Sequence, residues 1–184
     1  MRRWLVIASA VVALGALSGA AAYQHTGLRH EERSGAWQEI AWPFPRDGWP
    51  AGKAYRCSTA ACGGEVQVYV RPKIGFCNCD RGVADDDEVD RVADLDLLSE
   101  RFTPRAPGDV VAIADMSGRM RAYDLKLPDG SQQAAIGIAV SRRCDLLVAV
   151  AHGKVDALEM RRAALDFLSR QEMTRWATTA MDSR

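Results

Sequence analysis

Apolar and polar positions along the chain follow two periods, and these mark out the expected elements. Glu65 to Val70 alternates strictly, which places Val66, Val68 and Val70 on one face of a strand. Lys53 to Cys57 is a short strand leading toward it, Arg71-Pro72-Lys73 is read as a turn, and Ile74 to Cys79 as an antiparallel return, together a hairpin. Val89, Val92, Leu95 and Leu98 recur at helical spacing, with Asp85 or Asp86 as the cap. Farther on, Asp109 to Ala114 is a short apolar run, Met116 to Arg119 a turn, and Met120 to Leu127 a strand. Pro128-Asp129-Gly130 is a turn, Ile136, Ile138 and Val140 alternate, and Cys144 to Ala151 is apolar apart from Asp145. Four strands with short connections predict an antiparallel meander. Val155 to Leu168 predicts a helix with Leu158, Leu165 and Leu168 on one side, and Trp176 and Met181 belong to a last helix. The expected fold is α+β: a small disulfide-bridged β-hairpin module plus an antiparallel sheet covered by a C-terminal helix.

The first residues carry a different pattern. Arg2 and Arg3 precede an uncharged run from Trp4 to Ala22, and Ala20-Ala21-Ala22 supplies a small-x-small cleavage pattern. Residues 1–22 are therefore expected to be a signal peptide or, as the alternative, an N-terminal membrane anchor, the run of 19 residues being just long enough to span. Both readings put the remainder outside the cytoplasm, periplasmic or otherwise extracytoplasmic, with membrane contact only through residues 4–22 if they stay attached. Residues 23–36 are expected to be a flexible linker and 37–184 a single α+β domain. Within it, 37–82 is a Trp/Pro wrap and Cys-rich hairpin, 83–104 an acidic helix, and 105–184 the sheet and C-terminal helices. The wrap sets Trp37, Trp42 and Trp49 among three prolines, which break helix and interior strand and leave indole rings as anchors.

Composition narrows the classes. The 184 residues can bury a real core, and 48% hydrophobic with 26% charged residues is ordinary for a globular protein. With 24 basic and 24 acidic side chains, the chain as a whole has no net field, so nucleic acid is not an expected partner.

Cysteines carry most of the candidate chemistry. Four of the five, Cys57, Cys62, Cys77 and Cys79, lie within 23 residues. In an oxidising compartment the expectation is two structural disulfides. Strand phase puts Cys77 and Cys79 on one side, which favours cross-links from the pair 57/62 to the pair 77/79. The alternative is a zinc or copper site on the same four sulfurs, although the C-x4-C and C-x-C spacings depart from the two C-x2-C knuckles of a zinc ribbon. A second alternative is a thiol-disulfide oxidoreductase, which ordinarily uses C-x2-C at a helix start. Cys144, the odd cysteine, is expected to be a buried apolar residue, and His152 lies eight residues along the same strand, too far for a Cys-His pair.

Residues 80–100 hold nine acids and two bases. Asp85, Asp86, Asp87, Glu88 and Asp90 suit the N-terminal end of a helix dipole and offer a surface for a basic protein partner. They lack the spacing and central glycine of a calcium loop. No serine-hydrolase elbow, phosphate loop, dinucleotide fingerprint or H-E-x-x-H occurs, and there are three histidines. The expected function is a non-enzymatic binding or accessory protein of the cell envelope, without a cofactor unless the metal alternative holds.

Overall fold

The structure, a computed structural model, describes residues 36–45, 47–75 and 78–182. The expected export segment at 1–22 and nearly all of the linker lie outside the described residues, as does Cys77. Among the described residues no helix is long and apolar enough to cross a membrane.

Strands β1 (Trp37–Ile40), β2 (Lys53–Cys57), β3 (Val66–Lys73), β4 (Phe102–Pro104), β5 (Asp109–Ile113), β6 (Met116–Lys126), β7 (Gln132–Arg142) and β8 (Asp145–Gly153) form one sheet. Its order is β1-β2-β3-β8-β7-β6-β4, with β5 beside β4 on the same edge of β6, and every pairing is antiparallel. The expected meander is β5 to β8. The expected hairpin pairs Glu65 to Val70 with a return over Ile74 to Cys79; instead β3 pairs with β2 on one side and with β8 along its whole length on the other, and so belongs to the main sheet.

That pairing corrects one turn. Arg71-Pro72-Lys73 does not reverse the chain; it continues β3 opposite Leu146 to Val148 of β8. Pro72 is tolerated there because β2 ends opposite Val70, leaving Pro72 beyond the last residue that needs a partner on that side. The turn expected at Met116 to Arg119 lies earlier, at Ala114-Asp115 between β5 and β6, and β7 reverses at Arg143-Cys144; Ala114 and Arg143 take positive φ.

Helix α1 (Thr59–Cys62) is a single turn, α2 (Asp86–Val92) crosses one face of the sheet, and α3 (Ala157–Leu168) and α4 (Gln171–Asp182) cover the other. Alternation along the strands sorts the two faces. Val66, Val68, Val70, Ile136, Ile138, Val140 and Leu147 face α3 and α4, meeting Met160, Ala164, Phe167, Leu168, Met173 and Ala177. The buried stripe of α3 is therefore Met160, Ala164, Phe167 and Leu168; Leu158, expected on it, is 54% exposed at the helix start. On the opposite face Val83, Val89, Val92 and Ala93 pack on Ala139, Leu146 and Val148. Leu95, in a 3₁₀ turn (Leu95–Leu97), packs with Tyr123, Leu125, Ala135 and Val150.

Two disulfides are formed, and their pairing differs from the expected cross-link. Cys57 bonds Cys62, and Cys79 bonds Cys144. Ser58 opens the turn of α1, whose Ala61 and Cys62 amides donate to its carbonyl, and this folds Cys62 back to 6.1 Å from Cys57 between Cα atoms. Among the described residues of 74–79 none lies in a strand, and β2 and β8 take the two positions beside β3, so the strand-phase expectation of a 57/62 to 77/79 cross-link does not apply to Cys79. Cys79 instead meets Cys144, in the β7–β8 turn, with 4.4 Å between Cα atoms. Close by, the Gly75 amide donates to the buried Asp145 carboxylate at 2.6 Å.

The bridges close loops of very different length, with sequence separations of 5 and 65. Removing the longer one (Cys79→Ala with Cys144→Ala) is expected to cost about 4 kcal/mol, and removing the shorter (Cys57→Ala with Cys62→Ala) about 2 kcal/mol. Equal losses of stability in urea unfolding of the two double variants would refute this ranking.

Candidate binding cleft

The Trp/Pro wrap, the end of β3 and the end of α2 converge on one cleft. Arg71 and Lys73 are two apart on β3 and project to the α2 face, where their side chains are 3% and 7% exposed. Burial of two cations demands nearby carboxylates. Asp94 supplies the first: its Oδ2 lies 2.6 Å from Arg71 Nε and its Oδ1 2.5 Å from Lys73 Nζ. It follows Ala93, the C-cap of α2, with φ 59, a left-handed conformation that aspartate tolerates better than most side chains. Lys73 Nζ also donates to the Val92 carbonyl at 3.0 Å, which binds the C-terminal end of α2 to β3.

Asp47 supplies the second carboxylate from the wrap. It accepts from Arg71 Nη1 at 2.9 Å and Nη2 at 2.7 Å, a bidentate fork. The Trp49 amide donates to the same carboxylate at 3.2 Å, and the Arg71 guanidinium with this bond holds Asp47 at about 2, below the usual carboxylate range. Trp42 and Trp49 lie 5.8 Å from the Arg71 and 5.7 Å from the Lys73 cationic centres, so the indoles serve as lids over cations as well as anchors. Trp42 and Phe44 also pack edge-on against Tyr69. Gly52 is required where the wrap joins β2, because a Cβ there would lie 2.4 Å from the Val70 carbonyl oxygen.

Over these groups opens a cleft of about 410 Å³, walled by Trp49, Phe102 and Leu95 and rimmed by Asp90, Arg91 and Asp96. A second set of ion pairs on the same sheet face includes the rim residue Asp90. Asp86 bonds Arg119 Nε at 2.7 Å, and Asp90 bonds Arg121 at 2.7 Å and the Tyr123 hydroxyl at 2.6 Å. The Gly108 amide, with Arg119, keeps Asp86 below the ordinary carboxylate range. Burial and the Asp90 carboxylate raise Tyr123 far above its ordinary value, so its hydroxyl stays a donor.

The acids expected to form a partner surface thus have distinct placements. Asp85 caps α2, accepting from the Glu88 amide at 2.9 Å, and Asp86 and Asp90 face the chain's own sheet. Glu88 pairs with Arg91, and Asp87 is exposed. Of the cysteines, Cys57, Cys62 and Cys79 are in disulfides, so they are not available together with Cys77 as four thiolates. Among the described residues no group of three or more His, Cys, Asp or Glu is placed to hold a metal ion. Cys144 is the partner of Cys79 rather than a free thiol, at the opposite end of β8 from His152.

His152 forms a separate group with Tyr69 and Gln133. Its ring stacks on Tyr69 at 5.5 Å between centroids, and its nitrogens lie 3.3 Å from Gln133 Oε1 and 3.4 Å from Tyr69 Oη. Burial lowers it to about 4, so the ring is neutral near pH 7.

No protein-family model matches the sequence, and no curated protein matches it. Solved structures to which the chain shows some similarity include LpqN of Mycobacterium tuberculosis, which is involved in cell envelope biogenesis. It has 11% identity over 72% of this chain and 76% of that chain, with a TM-score of 0.43. Another is CalU16 from Micromonospora echinospora, with 12% identity over 79% of this chain and 93% of that chain, at a TM-score of 0.28. Likenesses at this level carry no argument about role, and the site is read from its own residues.

Asp94→Asn keeps the side-chain size and the left-handed backbone but removes the charge, and is expected to destabilise the protein by about 3 to 5 kcal/mol. The triple variant Arg71→Met, Lys73→Met, Asp94→Asn should lose less than Asp94→Asn alone, since no buried cation is left without its counter-charge. Denaturant unfolding checks both, and a triple variant weaker than the single one would refute the account. Acid titration should show two separate windows. His152 is depressed in the folded chain, so stability falls as pH drops from about 6.5 to about 4, and His152→Gln should remove that decline. Asp47 is depressed as well, so its contribution is complete above about pH 4 and is lost toward pH 2, where the gap between wild type and Asp47→Asn should close.

Proposed function

We propose that the protein works outside the cytoplasm as a non-enzymatic binding or accessory protein of the cell envelope, with the cleft over Arg71 and Lys73 as its binding site. The observation that carries this reading is the pair of buried cations at the floor of an aromatic-walled cleft, one of them held by a carboxylate from the wrap. The ionisable groups there are cations and carboxylates that neutralise one another, an arrangement suited to recognising a charged ligand. The disulfides support the compartment, because such bonds persist where the surroundings are oxidising. The Arg2-Arg3 start and the apolar run to Ala22 support it independently.

Alkylation without reduction, followed by intact mass, tests the compartment and the bridges together in a bacterial host expressing the full chain. The expected result is at most one labelled cysteine, five labels after reduction, and digestion of the chain by protease added to spheroplasts. Four or more labels before reduction, on a chain protected from the protease, would overturn the reading.

A further inference from the structure

The Arg71 guanidinium is shared between a buried carboxylate, Asp94, and an accessible one, Asp47. Arg71 and Lys73 are both buried, and the buried carboxylate that bonds both is Asp94, itself 7% exposed. Asp47 differs from Asp94 in every respect that bears on permanence. It lies outside any helix or strand, its side chain is 33% exposed, and it is followed by Gly48 at φ 90. Its two oxygens occupy both terminal nitrogens of the guanidinium, the donor pair a planar carboxylate ligand would take. The cleft reaches the same guanidinium and is wide enough for a small aromatic or branched acid.

We infer that Arg71 is a carboxylate-binding site which Asp47 occupies in the absence of ligand, so that a ligand carboxylate binds by taking the place of Asp47 on the guanidinium fork. This rests on the cleft being the binding site, and adds the ligand class and the competitor. Lys73 and Asp94 stay in place and offset one another, so the charge that a ligand carboxylate meets is that of the Arg71 guanidinium, which favours a monoanion. Trp49 and Phe102 then flank the apolar part of the ligand. Asp90 on the rim is bonded to Arg121 and Tyr123, so its charge is already paired. Because the internal carboxylate competes, the apparent affinity of the wild type is reduced by the fraction of time the fork is occupied.

Benzoate and benzamide, which differ in charge and little in shape, are the probes, followed by NMR of the Trp49 indole and Arg71 Nε resonances. Wild type is expected to bind benzoate weakly, and Asp47→Asn about tenfold or more tightly, with no such gain for benzamide. Asp47→Asn combined with Arg71→Met should lose the gain. Asp47→Glu, which keeps the charge but moves the carboxylate one methylene off the fork, is the second variant in case Asp47→Asn does not fold, and should gain about threefold. Folded variants that bind benzoate no better than wild type would overturn the competition. If both probes shift Trp49 equally in all variants, the cleft binds ligands but not through a carboxylate. If neither probe shifts either resonance, the binding reading of the cleft fails as well.

Discussion

One carboxylate, that of Asp94, adds a charged tie between segments that also meet through apolar and aromatic packing. Between Arg71 and Lys73 it fastens the end of α2 to the end of β3, and through Arg71 it reaches Asp47 and the wrap. Burial makes this arrangement all or none. A buried ion pair adds little over apolar packing, whereas losing one partner leaves an uncompensated charge in a poor solvent for it. The left-handed backbone of Asp94 belongs to the same constraint: it turns the chain sharply after Ala93, so that the carboxylate points at β3 while Leu95 returns to the apolar layer over Tyr123 and Leu125.

The disulfides act where packing and charge do not reach. β2, β3 and β8 are joined by full ladders, and neither bridge is needed to hold them. Cys57–Cys62 instead pins the single-turn α1, too short to persist by itself. Cys79–Cys144 ties the irregular chain after β3 to the β7–β8 turn, and the Gly75 to Asp145 bond restrains the same stretch. That stretch leads directly into α2, so the bridge fixes the approach to the cleft from one side while Asp94 fixes its exit.

How much of this was legible in the sequence depends on the range of the interaction. Val66, Val68 and Val70 announced β3, Ile136, Ile138 and Val140 announced β7, and Asp85 announced the start of α2, because alternation and capping are local. Arg71-Pro72-Lys73 was misread as a turn because proline and two charges look like a chain reversal, and only the pairing with β8 makes them a strand end. The cysteine pairing was misread for the same reason: the partner of Cys79 lies 65 residues away. The cleft left a signal that goes unnoticed in a search for motifs. In β3 and again in β6, two cations stand two residues apart, Arg71 with Lys73 and Arg119 with Arg121, where a one-sided apolar sheet would have hydrophobic residues on that face.

Those four cations lie on the same face, and the segments crossing it bring four carboxylates, Asp47, Asp86, Asp90 and Asp94. The opposite face meets α3 and α4 through Met160, Phe167, Leu168 and Met173. Both layers meet the sheet through apolar contact and ion pairs; on the α3 and α4 side the pairs, Arg142 with Asp182 and Arg161 with Asp109, are partly exposed, whereas on the α2 side they include the buried Arg71, Lys73 and Asp94. Apolar contact is indifferent to the identity of a small ligand, whereas a charge partner can be exchanged for another of the same sign. Exchange is easiest for the carboxylate that is least buried and least constrained by regular structure, which is why the chemistry of recognition is concentrated at Asp47 and Arg71 rather than along the acidic helix as a whole.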